Sequence, residues 1–177
     1  MSISIHKPRA LKHTLSKNLN RIQDFGFFLS GIIDGDGHFS AIPQLVICFH
    51  EKDISVAYFL KKQIQYGTVS KVKNKKAIKF VVSHFLGLKK ICRLVHNKLQ
   101  HHTKIEQYNT RLTKLAPFNL DDCNSCKTEK KSFVLTENSW FAGFFLSDGS
   151  FQIKILHKNN RELPEIRLVI QVDQKDS

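Results

Sequence analysis

Asp36 and Asp148 end two copies of one short pattern, an apolar run holding small residues, then Asp-Gly, then a β-rich stretch. Leu29-Ser-Gly-Ile-Ile-Asp-Gly-Asp-Gly-His-Phe39 aligns with Phe141-Ala-Gly-Phe-Phe-Leu-Ser-Asp-Gly-Ser-Phe151 at an offset of 112 residues. Two carboxylates brought side by side repel, and each raises the other's pKa unless a cation neutralises them. A hard divalent ion such as Mg2+ or Mn2+ accepts such oxygen ligands and can coordinate phosphate as well. Shared between two acids, it can activate water and stabilise a leaving oxygen in phosphodiester cleavage. One Asp-Gly alone would indicate only a turn at a helix end. Two of them in the same context point to a shared site.

For the acids to meet, the runs before them must be helices packed in parallel at close range. Gly31 and Gly35 lie four apart, and their counterparts are Gly143 and Ser147. Small residues at i and i+4 let two helix backbones approach, because no side chain props them apart. Phe28, Leu29, Ile32 and Ile33 in one copy, and Phe141, Phe144 and Phe145 in the other, make each helix apolar nearly all round, as buried helices are. A second block, Leu45 to Asp53 against Leu168 to Asp176, follows at an offset of 123. The longer second offset places the extra residues in the connection from His157 to Glu165. Two matched blocks in the same order mark a tandem duplication.

The first copy reads through as αββαββα. Asp24 is a candidate N-cap for a helix running to about Asp34, which Gly35 to Gly37 ends. His38 to Ile42 and Gln44 to His50 are strands on either side of Pro43. Asp53 could cap a helix that presents Val56, Phe59, Leu60 and Ile64, closed by Gly67. Thr68 to Lys73 and Ile78 to Ser83 form a hairpin turning near Asn74, and Gly87 to Leu99 is a helix with Leu88, Ile91, Val95 and Leu99 in line. This is an α+β arrangement, an antiparallel sheet covered by helices on one face. The domains expected are a basic arm over 1–23, a first unit over 24–115, a polar linker over 116–138 and a partial second unit over 139–177. The second copy reaches only the equivalent of Asp53, and matched lengths would require roughly 60 to 70 further residues.

Charge narrows the partners. Lys and Arg number 28 against 15 Asp and Glu, a net charge of +13, so a polyanion is expected. The longest apolar run, Phe25 to Ile33, is too short to span a bilayer. Cys123 and Cys126 have zinc-pair spacing, but a structural zinc needs four ligands, and Cys48 and Cys92 sit in apolar segments as core cysteines do. The first 23 residues carry no acid, which fits an organelle transit peptide, a disordered basic arm or fused upstream coding sequence. Of the basic residues 22 are Lys, a skew in keeping with an AT-rich organelle genome.

Leu29 to Gly37 resembles the LAGLIDADG signature of homing endonucleases and intron maturases, and Trp140 to Gly149 is similar to the second copy in single-chain members. The resemblance covers about residues 24 to 177. It implies a saddle of two αββαββα halves, the second incomplete here, whose sheets straddle double-stranded DNA. It also implies cleavage of both strands across the minor groove by a mitochondrial or plastid intron-encoded enzyme, a monomer if the second half is complete. The final motif aspartates, Asp36 and Asp148, would be catalytic and bind the metal, with the Gly35 and Ser147 carbonyls framing the sites. Lys104 lies where the family often keeps a basic residue near the scissile phosphate. Three departures stand out: Leu146 replaces an acid that Asp34 supplies in the first copy, the hairpin at Pro43 is short, and the second sheet is cut off.

Lys71, Lys73 and Lys75 alternate along an expected strand and could track phosphates on one face, with Lys76 and Lys79 nearby. Gln44 and His38 are further candidates for base contacts. Two other readings compete with an active nuclease. One is a maturase that binds its host intron RNA without cutting, and the other is a DNA-binding remnant. Retention of both acids favours the nuclease, since RNA binding needs neither.

Overall fold

The computed structural model describes residues 2–4, 22–112, 127–157 and 163–173, with backbone alone for 2–4, 22 and 23. The Cys123/Cys126 pair, most of the basic N-terminal segment, the first half of the linker and the middle of the second hairpin connection lie outside the described residues.

The first half has the expected order. Helix α1 (Ile22–Asp36) leads into β2 (Gly37–Phe39) and β3 (Leu45–His50), then α2 (Ile54–Ile64), β4 (Thr68–Lys71), β5 (Ala77–Val82) and α3 (Phe85–Val95). The strands form one antiparallel sheet in the order β2-β3-β5-β4. Alternation places Leu45, Ile47 and Phe49 of β3 with Ile78, Phe80 and Val82 of β5 on the buried face, under α2 and α3. Ala57, Leu60 and Ile64 of α2, and Leu88, Ile91 and Val95 of α3, close the core from the other side. The opposite sheet face carries Val46, Cys48, His50 and Lys79. Cys48 is therefore half-buried on that outer face rather than in the core, whereas Cys92 is buried as expected.

Several boundaries differ from the sequence reading for local reasons. Helix α1 begins before Asp24, which lies in its first turn, and continues through Gly35 to Asp36 because Gly35 keeps helical geometry against a neighbouring helix. Asp53 stands at the N-cap of α2 but makes no side-chain capping bond. Gln65 (φ 68°), not Gly67, takes the left-handed turn that stops α2, its amide donating to Lys61 O. Asn74 (φ 60°) does turn the β4–β5 hairpin.

After α3 the chain forms α4 (His102–Gln107) and one wider turn over Tyr108–Leu112 that lie along β2. Phe39 N donates to Gln107 Oε1 (3.0 Å), and Arg111 donates to Phe39 O. The expected linker is partly docked on the first half. Thr128 is buried, with Asn97 N donating to its Oγ1 (2.7 Å) and its own amide donating to Asn109 Oδ1 (2.8 Å).

The second half supplies α5 (Trp140–Asp148), β6 (Gly149–Leu156) and β7 (Glu165–Val172). These match α1, β2 and β3. Ser2–Ser4, placed by the sequence reading in a basic arm, form strand β1 and pair antiparallel with Gln152 to Lys154 of β6, giving the sheet order β1-β6-β7. The hairpin register also differs between halves. Gly37 faces Ile47, while its counterpart Gly149 faces Val172, the match of Phe49. A shift of two residues leaves every side chain on its original face. No described helix is long and apolar enough to cross a membrane.

Candidate functional site

The two motif helices touch backbone to backbone. A Cβ built on Gly31 would lie 2.0 Å from Trp140 O and 2.7 Å from Phe144 N. One built on Gly143 would lie 2.0 Å from Phe28 O and 3.1 Å from Ile32 N. Phe28 and Ile32 are the motif counterparts of Trp140 and Phe144, so the contact is reciprocal across a pseudo-twofold axis. Four residues on, a Cβ at Gly35 would meet Ser147 Cβ at 2.5 Å and Asp148 Oδ2 at 3.4 Å. Contacts in the same order along both helices make them parallel. Their C-terminal ends, Asp36 and Asp148, arrive at the same level. All four helix-interface residues read from the sequence, Gly31, Gly35, Gly143 and Ser147, lie in this seam.

The residues there suit a hard cation. Ser147 Oγ is buried and has no hydrogen-bond partner among the described residues, and Ser147 packs directly against Gly35 beside Asp148. Among the described residues no three His, Cys, Asp or Glu side chains gather to hold a metal ion. The chain thus offers two motif carboxylates and neighbouring carbonyl or hydroxyl oxygens, a set for Mg2+ or Mn2+ that phosphate or water oxygens would complete.

Lys104 stands next to this seam. Its Nζ donates to Gly37 O (2.7 Å). Burial lowers its pKa, while the charges of Asp34, Asp148 and Asp36 act in the opposite sense, so the amine lies in the field of all three acids. His38, on β2, has its pKa lowered by burial first and then by Lys104, Arg111 and Lys79. A half-buried imidazole surrounded by cations stays neutral, a hydrogen-bonding rather than a charged contact.

Asp34 was legible only as a motif acid. It is buried (1% exposed), with Oδ2 accepting from Gln100 N (2.8 Å) and Trp140 Nε1 (2.8 Å), and Oδ1 accepting from His101 N (3.1 Å). Burial raises its pKa to about 6, against the pull of these donors and of Lys104. One sequence signal could have revealed the network. The copies differ at two positions together, Asp34 against Leu146 and Phe28 against Trp140, and Trp140 is the only tryptophan.

The lysines divide differently from the strand pattern expected. Lys79 points from the outer sheet face, paired with Cys48 and Ser70. Lys71 pairs with buried Ile78, which puts it on the opposite face, and it approaches Glu51 at 3.9 Å. Lys73, Lys75 and Lys76 lie beyond the strand, in the exposed turn, so they do not share a face by alternation.

No protein-family model matches the chain. It is 39% identical over 180 residues to the uncharacterized cox1 intron-2 37.2 kDa protein of Schizosaccharomyces pombe, covering 98% of this chain and 51% of that protein. It is 29% identical to the endonuclease SceI small subunit of Saccharomyces cerevisiae, covering 80% and 30% of the two. It is 27% identical to the intron-encoded RNA maturase bI4 of the same yeast, covering 71% and 19%. The chain thus spans about half the length of the first of these relatives and less of the others. Among solved structures it superposes on the LAGLIDADG meganuclease I-CpaMI bound to uncleaved DNA (TM-score 0.55, 18% identity, 83% of this chain and 66% of that one). Meganuclease I-SmaMI bound to DNA is similar (TM-score 0.56, 17% identity, 88% and 67%).

Proposed function

We propose that the chain, which shares its fold with LAGLIDADG meganucleases and resembles intron-encoded proteins, is a member of the LAGLIDADG family of homing endonucleases and intron maturases and acts as a site-specific, divalent-metal-dependent endonuclease that hydrolyses both strands of a DNA duplex. The observation that supports this reading is the close approach of α1 and α5 at Gly31 and Gly143, with Gly35 against Ser147 and Asp148 where both motif helices end. A bare helix interface needs no acid there, and two carboxylates at one level cost stability unless a cation joins them.

Asp36 and Asp148 would hold Mg2+ or Mn2+, which would supply Lewis-acid stabilisation and a stronger nucleophile for phosphodiester hydrolysis. The remaining work falls to the protein. Lys104, fixed on Gly37 O, offers a positive charge to a phosphate placed over the acids. Lys79 on the outer sheet face, with Lys73, Lys75 and Lys76 in the turn, holds the duplex backbone, His38 on the same outer face is a candidate for a base contact, and Lys71 contributes from the rim. Both acids come from one chain, so a monomer suffices if the second half is complete. An intron of an organelle, mitochondrion or plastid, is the expected coding site, in keeping with the lysine-rich composition and the intron-related names of the relatives.

A second reading, an RNA-binding maturase, is favoured by the likeness to maturase bI4 over 71% of this chain. One experiment separates the two. The protein is incubated with a library of randomised duplexes and Mg2+, and cleaved molecules are captured and sequenced. A recurrent cleaved site that disappears in D36N supports the nuclease. Intron RNA binding with no enriched cleavage in any metal would reject it.

A further inference from the structure

We propose that Asp34 is a positioning residue, one that ties the turn entering α4 and the first turn of α5 to the end of α1 and thereby fixes Lys104 beside the paired acids. The importance of Lys104 rests on the nuclease reading, but the positioning itself does not.

Asp34 lies two residues before Asp36 on a helix, so the two side chains leave the axis about 200° apart. While Asp36 ends the seam, Asp34 turns inward to three donors on segments 66, 67 and 106 residues away. A buried carboxylate is costly unless donors converge on it, and here both oxygens are used. Two donors are consecutive amides, Gln100 N and His101 N, immediately ahead of α4. Lys104 is the third residue of that helix, so its amine is carried on the segment Asp34 holds. Farther along, Gln107 and Arg111 bind Phe39. The helix is therefore fixed at both ends, and Lys104 reaches Gly37 O between them.

The duplication supplies an internal control. The counterparts of Asp34 and Trp140 are Leu146 and Phe28, both apolar, and Leu146 packs against the main core. A helix seam closes equally well with Leu and Phe at these positions. The Asp–Trp pair stands where it can hold a turn with two donor amides and Lys104. Polarity at position 34 therefore serves the turn, and the helix pair does not require it.

The test uses the whole chain without DNA or metal, so its failure is distinguishable from failure of the nuclease reading. D34L/W140F copies the Leu–Phe pair of the other side. It should unfold cooperatively like the parent, while amide exchange over 100–107 rises about tenfold or more, as expected when buried amides lose a charged acceptor. Labelling of Lys104 by an amine-reactive reagent, read by mass spectrometry, should rise severalfold over the other lysines. W140F alone, which keeps both amide bonds, should leave both readouts near the parent. D34N keeps the side-chain size and loses one acceptor oxygen, and should give a smaller rise in the same two readouts. Parent-like labelling and exchange in D34L/W140F overturns the proposal, as does parent-like behaviour in D34N. A rise spread evenly over the chain would also overturn it, since that marks a merely structural role.

Discussion

Leu45, Ile47 and Phe49 on β3 and Leu168, Ile170 and Val172 on β7 occupy matching positions of the duplicated strand, yet their surroundings are opposite. The first three are 0%, 0% and 6% exposed; the second three are 79%, 66% and 39% exposed. Both strands alternate in the same way and both pair with the strand that follows their motif helix. The difference is that α2 and α3 lie over the first face, while no described element covers the second. Alternation records which face is meant to be covered. It does not supply the cover, and an apolar strand contributes stability only when water leaves its surface.

The halves can be compared by experiment. The largest effects should come from the acids, where the halves are equivalent. D36N and D148N should each lower cleavage by on the order of 100- to 1,000-fold, the scale of losing a preorganised charge at the reacting phosphate, with DNA binding largely kept. Undiminished cleavage in either variant would end the shared-site view. Next come the seam glycines. G31A and G143A should each destabilise by about 3 kcal/mol or more in urea denaturation, because the new Cβ would lie 2.0 Å from a backbone carbonyl oxygen that cannot rotate away. The gain of about 1 kcal/mol in helix propensity is too small to offset this. Equal costs would confirm the pseudo-symmetry of the contact.

At the strands the halves should part. I47A should cost about 2 to 5 kcal/mol, as buried Ile truncations do, whereas I170A should change stability by less than about 0.5 kcal/mol. Equal losses would mean that the second face is covered in solution. The smallest effect concerns the two faces of one sheet. K79A should reduce the salt dependence of DNA binding by about one phosphate contact, and K71A, on the other face near Glu51, by less. The reverse order, measured by titration at several salt concentrations, would assign the duplex to the wrong side of the sheet.

Much of the site was legible because it depends on local pattern. Gly31 and Gly35 against Gly143 and Ser147 announced a close helix seam, and a parallel seam of equal lengths brings Asp36 and Asp148 together by symmetry alone. The αββαββα order of the first half followed from periodicity, since burial on one face imposes the spacing. The lysine stripe failed because strand alternation ends at Lys71, and the turn around Asn74 resets direction for Lys73, Lys75 and Lys76. The N-terminal residues were read as an arm because three residues, Ser2–Ser4, carry too little pattern to announce a strand.

The sequence by itself determined the duplication, the seam, the pair of acids and the basic character that selects a polyanion, all carried by residue type and spacing within a few turns of chain. Tertiary structure alone decided that Asp34 joins Gln100, His101 and Trp140, and that Lys104 donates to Gly37 O. Those outcomes depend on segments far apart in the chain. A carboxylate finds its donors, and an apolar face its cover, only where the fold brings them into contact.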